Sequence, residues 1–108
     1  MSGLFVNDGF TLRHTVAARG PVPELQIKYR PALPIEVYQW REDREAARKP
    51  AKRLQIDLAF LAKHLVWWDI KEPLTVETLE NIWPQIISEL LDLVAGYQVG
   101  EQIESEKN

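Results

Sequence analysis

The sequence predicts an α+β fold: a small N-terminal antiparallel β-hairpin packed on about three α-helices. Three observations carry this. Residues 24–30 alternate apolar and polar side chains with a period of two, as a half-buried strand does. From residue 51 onward the apolar residues recur at spacings of three and four, as on one side of a helix. Between the two regimes stands Pro31-Ala32-Leu33-Pro34, which ends a strand and can open a helix.

The elements follow in order. Asn7-Asp8-Gly9 is a turn signal, since Asn, Asp and Gly tolerate positive φ. Phe10, Leu12, Thr15 and Val16 give an imperfect strand over 10–18, and Arg19-Gly20-Pro21 interrupts it. Leu25, Ile27 and Tyr29 alternate with Gln26, Lys28 and Arg30, the second strand, 24–30. A lone hairpin is marginal in water, so it must pack on something. Pro34 suits the first turn of a helix over about 35–48, whose apolar part is Ile35, Val37, Tyr38 and Trp40. The charged half, Arg41 to Lys49, alternates bases with Glu42, Asp43 and Glu45, a pattern of ion pairs along a solvated helix face.

Residues 51–68 read as one helix. Leu54, Leu58, Leu61, Leu65 and Trp68 form a narrow stripe, with Ile56, Phe60 and Trp67 roughly opposite. A helix with apolar groups on both sides is central in its domain or covered by a partner. Lys71-Glu72-Pro73 is a linker, and Thr75 is placed to cap the last helix with Glu77 near its positive end. Leu79, Ile82, Trp83, Ile86, Leu90, Leu93, Val94 and Tyr97 keep one face through Pro84, which predicts a single helix kinked at the proline and stopped at Gly96. The single domain is expected over 1–97, with 98–108 a frayed tail.

Composition narrows the function. The 108 residues suit one domain, and 45% of them are hydrophobic, enough for a core. There is no cysteine, which removes disulfides, thiolate nucleophiles and cysteine metal sites. The two histidines have no metal-ligand spacing; His14 is expected at the surface, and His64 solvated or partly buried. No glycine-rich phosphate loop is present. No catalytic residue, cofactor or metal is therefore expected. No apolar run approaches the roughly 20 residues of a membrane span, and no signal peptide is seen, so a cytoplasmic protein without a membrane partner is expected. Bases in Arg41–Arg53 are interleaved with acids, which argues against nucleic acid. Residues 1–70 carry 11 Lys/Arg and 8 Asp/Glu, a net of +3, and residues 71–108 carry 2 and 8, a net of −6. Such a split suits head-to-tail association or an internal face-to-face fit.

Four tryptophans are the strongest hint of binding. Trp68 and Trp83 lie on the main stripes and are expected in the core. Trp40 and Trp67, with Ile56 and Phe60, are the candidates for a partner-binding surface.

The order of Lys28-Tyr29-Arg30-Pro31-Ala32-Leu33-Pro34, then Leu65-Val66-Trp67-Trp68-Asp69-Ile70, then Leu74-Thr75-Val76-Glu77-Thr78-Leu79 resembles the tail assembly chaperones of long-tailed bacteriophages and prophages. The resemblance spans about residues 10–97, and the linker after Ile70 is shorter here. It implies a structural role for Trp68, packing a helix end, and for Asp69, bonding the following turn. It implies a non-enzymatic protein of the bacterial cytoplasm that binds a long, helical tape-measure protein during tail assembly, associates with its own copies along it, and is absent from the finished particle. Two alternatives stay open: a structural head–tail connector or tail completion protein, and an unrelated helical interaction module.

Overall fold

Strand β1, Phe10–Val16, and strand β2, Leu25–Tyr29, form the expected antiparallel hairpin, with Leu12 opposite Tyr29, His14 opposite Ile27 and Val16 opposite Leu25. The computed structural model describes residues 10–97 and 105–107. The hairpin loop is pinched by paired backbone bonds between Arg19 and Val22, with Gly20 at φ 55, a conformation glycine adopts without strain. The Asn7-Asp8-Gly9 turn and most of the 98–108 stretch lie outside the described residues.

Helix α1, Pro34–Ala46, and helix α2, Pro50–His64, each begin with proline in the first turn. Here the expected course fails. The helix does not run on to residue 68: it stops at His64, and Leu65–Trp68 is a strand, β3, antiparallel to β2. Tyr29 pairs with Leu65 and Lys28 with Trp67, so Val66 is an extra residue bulged from the ladder. The bulge lets Leu65 and Trp68, three apart, both face the core. A spacing of three marks one side of a helix, and one bulge gives it to a strand.

The second correction falls at Pro84. Helix α3 is a single turn, Val76–Leu79, and helix α4, Pro84–Ala95, is separate. Trp83 precedes the proline with ψ 135, the extended conformation a residue before proline prefers. The apolar phase survives because both segments lie on one core. Thr75 caps α3 by accepting a hydrogen bond from the Thr78 N–H at 3.2 Å. Gly96 ends α4 in the left-handed conformation, φ 87. A short strand β4, Ser105–Lys107, pairs with β1 and completes the sheet order β3-β2-β1-β4.

The core forms on one side of the sheet. Val16, Leu25, Ile27, Tyr29, Leu65 and Trp68 meet Leu58 and Leu61 of α2, Leu79 of α3, and Ile86, Leu90, Leu93 and Val94 of α4. On the opposite side, Arg13, Lys28 and Trp67 lie in one cross-strand row. Three residues of the main stripes are not core: Leu54 is 45% exposed near the start of α2, Trp83 is 50% exposed in the α3–α4 turn, and Tyr97 is 53% exposed just past Gly96. No described helix is long and apolar enough to cross a membrane.

Candidate functional site

α1 contributes no fully buried residue. Partly buried Val37 and Trp40 pack it against the core, and polar contacts tie it to α2. Asp57 of α2, itself buried, accepts a hydrogen bond at Oδ1 from the Trp40 indole Nε1 at 2.9 Å and from Arg44 Nε at 2.6 Å. The ion pair is therefore between helices; the described partner of Asp43 within α1 is Gln39, at 3.1 Å. The Trp40 ring stacks on Phe60, with centroids 4.6 Å apart and planes 6° from parallel, and this covers Phe60.

The two helices leave an open groove of about 450 Å³ between them. Its apolar surface comes from Ile35, Trp40, Ile56, Ala59 and Phe60, and its polar margin from Glu36, Gln39, Asp43, Lys63 and His64. Ile35 is 68% exposed at its mouth. The structure thus brings together Trp40, Ile56 and Phe60, three of the four residues singled out as partner-binding. Trp67 is not among them. With α2 ending at His64, it lies on the outer side of the sheet, exposed, beside the Lys28 ammonium 5.8 Å from its ring centroid.

His64 closes one end of the groove and is buried rather than solvated. Its Nδ1 lies 3.1 Å from the Phe60 carbonyl oxygen and its Nε2 lies 3.3 Å from Glu36 Oε1. Burial pushes the imidazole below its ordinary pKa; Glu36 works against this, while Lys63 and Arg30 add to it. Glu36 also accepts a hydrogen bond from the Leu33 N–H at 2.8 Å and pairs with Lys63 at 3.1 Å. Burial would raise its pKa, but the Leu33 bond, Lys63 and His64 together hold the carboxyl below the usual range.

His14 is likewise not at the surface. The strand alternation puts it with Leu12 and Val16 on the core side, where its Nε2 meets Glu89 Oε2 of α4 at 2.9 Å, and Arg19 joins the same carboxylate. Trp68 and Asp69 both make structural contacts, with roles differing from expectation. Trp68 is buried and closes the following turn by donating from Nε1 to the Glu72 carbonyl at 2.8 Å. Asp69 reaches back instead, accepting from the Gln26 N–H at 3.2 Å and extending the β2–β3 pairing.

Among the described residues no group of three or more His, Cys, Asp or Glu is placed to hold a metal ion. The groove has an aromatic and aliphatic floor and a polar margin, a surface suited to binding. Sequence periodicity found Ile56 and Phe60. It missed Asp57, Glu36 and His64, whose partners lie on another element or depend on where α2 ends. No family model, curated protein or solved structure matches the chain.

Proposed function

We propose that this protein is a non-enzymatic chaperone of the phage tail assembly kind, and that its α1–α2 groove takes an amphipathic helical segment of a tape-measure protein. The observation that carries the proposal is the groove itself. Trp40, Ile56 and Phe60 converge on an open apolar channel flanked by polar groups, with Ile35 exposed at its mouth. Helix-in-groove recognition needs such a channel, into which a partner sets apolar anchors at i, i+3 or i+4, and i+7. The wall from Ile35 to Asp43 is about 12 Å long, which matches two turns of a bound helix. The resemblance in the order of motifs supplies the identity of the partner. Shielding a long helical protein before the tail tube closes around it requires reversible apolar binding and no bond chemistry.

Co-expression with the tape-measure protein of the same genome tests this. The chain should co-purify with it and be missing from purified particles. Ile56→Asp should weaken the complex by at least about tenfold, the scale of an interface hot spot, while circular dichroism stays that of the parent. A chain found in the finished particle, or a complex indifferent to Ile56→Asp, would overturn the proposal.

A further inference from the structure

We propose that the helix taken by the groove is a basic one, carrying two cationic side chains seven residues apart that meet Glu36 and Asp43. This rests on the use of the groove as a helix-binding site and specifies its occupant. The two walls differ in charge. α1 presents Glu36 and Asp43 to the groove, seven residues and so about 10.5 Å apart along one side of the helix. α2 presents Ile56, Ala59 and Phe60, with Lys63 at one end. Asp43 has Gln39 Nε2 as its polar partner, and no cation lies within ion-pair distance of it among the described residues. Glu36 does have a cation, Lys63, but that side chain is 67% exposed. An exposed pair contributes little, so a partner's ammonium or guanidinium can share or replace Lys63 at small cost. Arg44 is already committed to Asp57.

An incoming helix excludes water from the groove and so strengthens the field of the α1 carboxylates. A flank of Lys or Arg at i and i+7 meets both at once, because the repeat of two turns matches the spacing on α1. A flank of Glu would place like charges against them. The apolar floor demands an apolar stripe beside the basic one, which completes a basic amphipathic helix.

The test uses the full chain and three fluorescein-labelled helical peptides of about 20 residues, a length at which a good helix former holds its structure. All share one leucine-rich stripe and differ only at the i and i+7 flank, which is Lys, Gln or Glu. Anisotropy at low salt should rank them Lys, Gln, Glu, with the Lys peptide about tenfold tighter than the Gln peptide. The gap should shrink as salt screens the charges. Asp43→Lys, at an exposed helix position, should abolish or reverse the ranking, and Ile56→Asp should weaken all three. Equal binding of the three peptides, with Ile56→Asp still weakening each, overturns the basic-helix inference and leaves the groove as the binding site. Binding of none of them, or binding indifferent to Ile56→Asp, overturns both.

Discussion

Asp57 is a buried carboxylate in the seam between α1 and α2, and its partners explain why it is there. Trp40 brings an indole N–H and Arg44 a guanidinium to the same oxygen. The anchor therefore holds the aromatic wall of the groove as well as the helix. Asp57→Ala removes hydrogen bonds to a charged group, interactions worth roughly 1.5–3 kcal/mol, and frees Trp40 to leave its stack on Phe60. Chemical unfolding should show a loss of that size, and Trp40 fluorescence should shift as the ring gains mobility. A variant as stable as the parent would mean that the seam is held by apolar packing alone. His64 has a different logic. Both its ring nitrogens face acceptors, the Phe60 carbonyl and the Glu36 carboxylate, while burial opposes the charge that would satisfy both.

At the scale of elements, β3 sets two adjacent tryptophans in opposite environments. Trp68 is 5% exposed and inside the core, whereas Trp67 lies on the outer side with Lys28. Trp68→Ala should cost about 3–5 kcal/mol, the range for emptying a buried aromatic site. Trp67→Ala should cost only about 0.5–1 kcal/mol, the worth of an exposed cation–π contact. Equal losses from the two changes would mean that the bulge at Val66 is misplaced. α2 offers a parallel contrast. Leu61 is fully buried, and Leu61→Ala should cost roughly 2–5 kcal/mol. Leu54, in the same predicted stripe but near the exposed start of α2, should change stability by no more than about 0.5 kcal/mol when replaced by Ala. Urea unfolding of the four variants decides both comparisons.

At the scale of the whole molecule, the charge split along the sequence is met in part inside the fold. Glu89 of the acidic half turns inward to His14 and Arg19 of the basic half, and Glu80 accepts from Gln55 at 2.6 Å. Part of the split is thus spent on an internal fit between α4 and the sheet. Three titratable groups held in the fold give stability a defined pH dependence. His64 has its folded pKa below the ordinary 6.5. Below 6.5 the unfolded chain takes up a proton that the native state resists, so stability falls as pH drops from about 7 toward 5. Glu36 and Glu89 have folded values below the ordinary 4.5. For Glu89, burial is outweighed by the hydrogen bonds from His14 and Arg19. Their contribution is complete above 4.5 and is lost as pH falls through their folded values. Urea midpoints measured from pH 7 to 3 should therefore decline in two stages, and His64→Gln should flatten the first. An unchanged slope between pH 7 and 5 in that variant would count against a buried neutral His64.

The sequence by itself determined the α+β class, the pairing of the first two strands, the helix start at Pro34, the cap at Thr75, the stop at Gly96 and most of the core from Leu58 to Val94. These follow from local physics: backbone preferences of Pro, Gly and Thr, and a side-chain period that reports which way a chain turns. Tertiary structure alone decided that residues 65–68 form a strand. Leu65 and Trp68 satisfy a helical spacing and a bulged strand equally well, and only the open edge of β2 separates the two. It also decided that α3 and α4 are two helices, since one apolar phase serves any segments that share a core. The groove lies furthest from what local pattern can express. It depends on Trp40 meeting Phe60, and on Asp57 drawing Trp40 and Arg44 inward. Those contacts join residues 13 to 20 positions apart, across the α1–α2 turn, and no period of two or 3.6 encodes such a meeting.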